Sequence, residues 1–482
     1  MSARGQRRIR SVAAAPVAAA PAAPSQAPAA AARAERWSSS IMFVLALAGS
    51  AVGFKTFWYF PGIAAENGGG AFITIYLLLA FLFGAPLLIA QVMLGRRTHA
   101  SPVKAFTDLA PPTRSGRQWA LVGALAVVAG FITFSYLSVI AGWAMAYAVR
   151  ALFGGLAGLT ADGLGNRFAA FVQDPEKQLF WHSMFVLATG AIVARGVRRG
   201  LEPAARWLAP ALYAALLVLA VYAAWIGGLG DAARHLFAAD FAKLTPRTWL
   251  TAAAQVFFSL GLGTGVALMY GAYLKADASI PRATMTVVGL DVLTSIAVAL
   301  VVFAVLFGGG VAPASGPTLL FQALPLAFDH LPHGRWLLAL LFGLLVVVAL
   351  LAGIALLEPV VVWLEERFAA RRLRAVAASA AGAWMLGLAT VLSFNYAAFS
   401  FSVFGVEKQL GAFDVLQSLS AELMLPLAAV LMAVFAGWML KPDDARADLA
   451  MQSPCAFDAW LWLLRLLAPP LLVVLLFSLY WL

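Results

Sequence analysis

Residues 41–76 read IMFVLALAGSAVGFKTFWYFPGIAAENGGGAFITIY, an apolar stretch of membrane-spanning length that carries its own helix breakers. Gly49, Gly53 and Pro61 fall inside the run, and Glu66-Asn67-Gly68-Gly69-Gly70 separates it from a second apolar run. Each break frees backbone N–H and C=O groups that hydrocarbon cannot satisfy. Such a break persists only where neighbouring protein or a water-filled cavity supplies hydrogen-bond partners. A lysine, Lys55, sits in the middle of it. An ionisable side chain at that depth points to a site.

The rest of the chain is equally apolar. Of its 482 residues, 63% are hydrophobic and 11% charged, with a mean hydropathy of +0.88, outside the soluble globular range. Eleven apolar spans fall at 41–65, 71–95, 118–149, 178–195, 204–228, 249–275, 283–309, 336–365, 374–394, 413–440 and 457–481, each near the ~20 residues a bilayer requires. A net charge of +11 suggests a nucleic-acid surface, but most basic residues, among them Arg96, Arg97, Arg198, Arg199, Arg371 and Arg372, lie in connections on one side. That asymmetry orients a multi-pass protein with its N-terminus cytoplasmic and its C-terminus periplasmic. The expected large partner is therefore a lipid bilayer and not a nucleic acid. Residues 1–32, rich in Ala and Pro, read as a disordered cytoplasmic tail without the apolar segment of a signal peptide. The single cysteine, Cys455, excludes an intrachain disulfide framework. An Ala- and Arg-rich composition points to a bacterial inner membrane.

A second break echoes the first. QVFFSLGLGTGVALMYGAY (255–273) places Gly261, Gly263 and Gly265 in the middle of the sixth span. Small residues at one such place merely let helices pack closely. Matched breaks five spans apart predict an inverted repeat of five helices plus five with a site between the broken pair. The expected division is 33–228 for the first repeat, 229–440 for the second and 441–482 for an eleventh helix. The segment GPTLLFQALPLAFDHLPHG (316–334) is too short and Pro-broken to cross, and reads as a hairpin-like lid.

AGSAVGFKTFWYFP followed by AENGGGAF resembles the first-span signature of the neurotransmitter:sodium symporter family. QVFFSLGLGTG, the 316–334 segment, LSFN (392–395) and residues 413–440 are similar to its later landmarks, so the resemblance covers residues 34–482. It implies an all-α polytopic fold of the leucine-transporter type with discontinuous helices 1 and 6. It also implies secondary active transport of amino acids or related amines by alternating access, driven by sodium.

Measured against that family, the residues that would carry the chemistry are altered. The second sodium site falls at Gly49, Val52, Val348, Leu351 and Ala352, where two aliphatic side chains replace hydroxyls that a hard cation needs. The first falls at Ala51, Thr56, Ser259 and Asp291, with Lys55 in the place of a glycine. Lys55 and Asp291 together read as a cation and an anion built into the chain in place of the ion. Lys55 has two other readings, a grip on an anionic group of the substrate or an inert side chain reaching a headgroup. The anion site corresponds to Tyr76, Gln255, Ser259 and Ser295, and a carboxylate at Asp291 would repel chloride there. Pocket-facing positions are Ser50, Ala51, Phe54, Lys55, Thr133, Leu137, Phe258, Ser259, Gly261, Thr264 and Leu356. Leu137 takes the place of a substrate-binding tyrosine, while Tyr136 is expected to point about 100° away. The gates correspond to Tyr59 and Asp414 outside, and inside to Trp37, Tyr273 and Glu366, the last with Arg33 or Arg36.

Glu358 and Glu422 are further acids at membrane depth, each a proton carrier or a satisfied structural residue. His99, His182, His235, His330 and His333 are expected in loops or at span ends without metal-ligand spacing, and no nucleophile or phosphate-loop motif appears. The expected function is transport of a small organic solute without an enzymatic step or cofactor, with protons or sodium as coupling ion. An ordinary sodium symporter using the first site, and a non-transporting sensor, are the alternatives.

Overall fold

The computed structural model describes residues 35–478 apart from 115, 395–397, 404–405 and 452, with backbone alone across 398–410. The tail 1–32, Arg33 and Asn395 lie outside the described residues. All eleven spans are helical. Eight are long and apolar enough to cross a membrane without interruption: Gly70–Thr98, Gly116–Leu152, Val197–Trp225, Ile280–Gly308, Gly334–Phe368, Arg372–Ser393, Ala412–Met439 and Pro454–Ser478. The fourth span is Pro175–Val193, and the first and sixth are broken. Helix starts follow capping chemistry, in which a side-chain oxygen takes an orphan N–H and a proline occupies the first turn. Asp174 and Pro175 begin the fourth span this way, Thr245 and Pro246 the sixth, and Ser279 and Pro281 the seventh.

The breaks lie at slightly different residues from those the sequence suggests. The first span runs Ser40–Ala51, turns extended through Val52 and Gly53, and resumes as Phe54–Trp58 and Phe60–Glu66. Gly49 is inside the first half and Pro61 starts the last piece, where a missing N–H costs nothing. The sixth span runs Pro246–Ser259 and restarts at Val266–Ala272. Between them Gly261, Gly263 and Gly265 have φ of +60°, +82° and +77°, a left-handed conformation that side chains resist.

The fold is the leucine-transporter type with one extra C-terminal helix. Spans three and eight pack along each other, and span two packs on the second half of span six, Val266–Ala272. That second crossing is close: a Cβ on Gly95 would stand 1.8 Å from the Leu268 carbonyl oxygen. The 316–334 segment forms short helices at Gly316–Thr318, Leu319–Ala323 and Leu324–Asp329, not a hairpin. Its Phe321 stacks on Phe168 at 4.7 Å and meets Tyr147 of span three edge-on at 4.9 Å. An antiparallel pair, Ala398–Val403 with Val406–Gly411, connects spans nine and ten, an addition that the sequence does not suggest.

Gly95→Ala is expected to cost about 3 kcal/mol through overpacking against backbone that cannot move aside. Gly343→Ala in span eight, where an added Cβ meets nothing within 4 Å, is expected to leave stability level or raise it by up to about 1 kcal/mol. Thermal unfolding of the two variants in detergent, side by side, distinguishes a tight crossing from a general dislike of alanine.

Candidate functional site

Both breaks open onto one cavity of about 200 Å³. Every residue placed at the pocket from the sequence lines it, from Ser50 and Lys55 through Thr133 and Leu137 to Thr264 and Leu356. Tyr136 lines it too, contrary to the helical-wheel expectation, because its ring turns edge-on to Phe413 of span ten at 5.8 Å. Span ten also contributes Gln417 and Ala421, which the sequence reading missed. Two of the cavity hydroxyls are already engaged as donors. Ser50 donates to Leu47 O at 2.9 Å, and Thr264 to Gly261 O at 2.6 Å.

Lys55 and Asp291 are both at this site but are not joined in an ion pair within 4.0 Å. The Lys55 Nζ lies over the Phe258 ring, 4.1 Å from its centroid. The carboxylate that acts on it electrostatically is Glu422 of span ten. Asp291 is satisfied elsewhere: Ser259 Oγ donates to Oδ1 at 2.6 Å and Tyr76 OH to Oδ2 at 3.3 Å. Ser295 Oγ is 3.4 Å from the same phenol. Three of the four expected anion-site residues thus surround a carboxylate, and Gln255 lines the cavity instead. A fixed negative charge so placed leaves a second anion repelled. Thr56 is buried beside them and also lines the cavity.

At the positions of the second ion site the packing is aliphatic. A Cβ on Gly49 would stand 2.8 Å from Leu351 Cδ1, so that methyl rests directly on the glycine. Val52 and Val348 are fully buried, and Ala352 faces the cavity.

One side of the cavity is shut. Trp37 is buried edge-on against Tyr270 and Tyr273, its Nε1 donating to Tyr270 O and its backbone N–H to Tyr273 O, each at 3.0 Å. Tyr273 OH donates to Glu358 Oε1 at 2.6 Å, and Arg372 Nη2 reaches Glu358 Oε2 at 2.6 Å. Glu358 is therefore not a free acid, since both its oxygens have partners, and Glu366 makes no ion pair among the described residues, which leave out Arg33. Glu366 accepts from Ser101 N at 3.2 Å and Ser101 Oγ at 2.5 Å, while Arg36 is exposed. On the opposite side Tyr59 is 47% exposed. Asp414 caps span ten by accepting from Gly411 N at 2.8 Å, which leaves no hydrogen bond to Tyr59 among the described residues. His182 departs from expectation as well. It lies within the fourth span, fully buried, its ring nitrogens 3.0 Å from Ser138 Oγ and 3.3 Å from Trp384 O.

A central cavity between two broken helices is the architecture of a membrane-embedded secondary transporter. The chain belongs to the sodium:neurotransmitter symporter family, which it matches over residues 34–162 and 177–481. It is similar to an uncharacterized sodium-dependent transporter of Bacillus subtilis, YhdH, with 31% identity over 91% of this chain and 96% of that one. A sodium-dependent neutral amino acid transporter of Bos taurus, B(0)AT2, is 28% identical over 56% of this chain and 40% of its own. The crystal structure of MhsT in complex with L-phenylalanine superposes with a TM-score of 0.82 at 34% identity, covering 92% of this chain and 99% of that one.

Arg372→Ala leaves Glu358, which is fully buried, without its cation, a loss worth about 3–5 kcal/mol. Labelling then reports the gate. In a Cys455→Ala background, a cysteine at Ser50 is expected to react faster with an impermeant thiol reagent applied from the Trp37 side once Arg372 is removed. Unchanged labelling rates on that side would assign the pair to stability alone.

Proposed function

We propose that this protein moves a small organic solute, an amino acid or related metabolite, across a bacterial inner membrane by alternating access, with its N-terminus cytoplasmic. The solute occupies the cavity between the two breaks, and the Trp37–Tyr273–Glu358–Arg372 assembly and the Tyr59 side open in turn. Transport proceeds without sodium at the second ion position. The observation that carries this reading is the Leu351 methyl seated on Gly49, since the carbonyls of Gly49, Val52 and Val348, without side-chain hydroxyls, leave a hard cation short of oxygens. Lys55, when protonated, supplies a positive charge near the first ion position, and the coupling proton is gained and lost there or at Asp291.

A second reading has support of its own. Asp291, Ser259 and Thr56 still gather oxygens at the first position, and the similar proteins are named as sodium-dependent. That arrangement would make the protein a conventional sodium symporter with one ion site.

Uptake into proteoliposomes separates the readings, beginning with labelled L-phenylalanine and other neutral amino acids. The expected result is flux that an imposed proton gradient accelerates and a sodium gradient leaves unchanged. Sodium-driven accumulation in the wild type would replace the first reading with the second. Binding without flux under any gradient would make the protein a sensor. Leu351→Thr with Ala352→Ser restores two hydroxyls beside Gly49, and sodium stimulation, absent from the wild type, is expected to appear in this double variant.

A further inference from the structure

We infer that the solute is an apolar carboxylate whose carboxyl group docks on Lys55 Nζ, with its body against Phe258, Leu137 and Leu356. The inference rests on the reading that this cavity holds the solute, and it names the chemistry the cavity selects.

Four observations carry it. First, Lys55 lines the cavity, and its amine makes no hydrogen bond and no ion pair among the described residues. Its close partner is the face of the Phe258 ring, 4.1 Å away, which offers attraction but accepts none of the three N–H bonds as a carboxylate would. A carboxylate arriving beside it provides the counter-charge and the hydrogen bonds that the ring does not.

Second, the neighbouring acids leave the amine free. Asp291 has both oxygens engaged by Ser259 and Tyr76, and Glu358 has both engaged by Tyr273 and Arg372. Glu422 acts on Lys55 only across more than ion-pair distance.

Third, no other cationic side chain among the described residues lines this cavity. The hydroxyls of Ser50, Ser259 and Thr264 have spent their protons on Leu47 O, Asp291 and Gly261 O. An anionic group entering here therefore finds its strong donor at Lys55.

Fourth, most of the remaining wall is apolar, with Phe54, Leu137, Ile140, Phe258, Leu260 and Leu356 among its residues. An apolar body matches that wall better than a large polar one. Leu137, where the family resemblance expects a tyrosine, offers the carboxyl no hydroxyl at that position, and span three presents only the neutral hydroxyls of Thr133 and Tyr136, so the charged donor is the lysine.

The test is binding, measured on the purified full-length protein without any gradient, so that a failure of transport does not touch it. Thermal shift and calorimetry are run with L-phenylalanine, 3-phenylpropionate, L-leucine and 4-methylpentanoate, each paired with its primary amide. At least one acid is expected to bind while its amide does not. Lys55→Met is expected to weaken that binding by about one to two orders of magnitude, and Lys55→Arg to recover part of it. Amides that bind as well as their acids, no acid binding at all, or an unaltered affinity in Lys55→Met would each overturn the assignment. If Lys55→Met fails to fold, the acid-to-amide comparison on the wild type decides alone.

Discussion

An apolar helix that stops at membrane depth must find partners for its own backbone, and the site here is what two such stops leave behind. In the first span the chain passes extended through Val52 and Gly53, and Thr56 N–H returns to Gly53 O at 3.1 Å. In the sixth, Gly261 N–H and Leu262 N–H turn back to Phe258 O and Phe257 O, each at 3.2 Å. The left-handed glycines make these tight turns without strain. Because both helices restart beyond their turns, Lys55 and Phe258 face each other across the space between them. A continuous first span would carry Lys55 round its own cylinder and close the cavity with backbone.

Charge at membrane depth is sorted by how completely it is satisfied. Glu358 is buried with a phenol and a guanidinium on its two oxygens, an arrangement whose loss leaves a bare buried charge. Asp291 sits in a cage of hydroxyls from spans two, six and seven. These groups fix structure. Lys55, held by one aromatic face worth about 2 kcal/mol when shielded from water, is the least tied of the three. The group with the most unused hydrogen-bonding capacity is the one that lines the cavity.

The architecture was legible in the sequence because it depends on long-range pattern. Apolar length gave eleven spans, and glycine spacing gave the broken pair and its place between two repeats. The pocket wall followed from the family resemblance, but details that depend on rotamers did not. Tyr136 turned into the cavity because Phe413 offered it an edge-on contact from span ten, an element whose register against span three no local signal sets. Lys55 and Asp291 stand at matched positions, yet the short reach from Ser259 and Tyr76 claimed the carboxylate first. Whether Glu358 was a proton carrier or a satisfied residue stayed open in the sequence because its partner, Arg372, is fourteen residues further on beyond a helix end. The hairpin at 398–411 joins residues whose pairing depends on the turn between them.

The two sides of the cavity are held by different physics, and this bears on how it cycles. The Trp37 side combines aromatic packing with a buried ion pair, so its closure is cooperative and poorly screened by salt. The Tyr59 side has no ion pair among the described residues linking Tyr59 to Asp414, and Asp414 is committed to a helix cap. Closure there rests on apolar and aromatic surfaces, the rings of Phe54, Trp58, Phe258 and Phe413 among them. Those rings already touch in pairs, Phe54 with Trp58 at 5.6 Å and Phe394 with Phe413 at 5.7 Å, through contact that is non-directional. Separating the elements on the Trp37 side instead requires Glu358 to part from Tyr273 or Arg372.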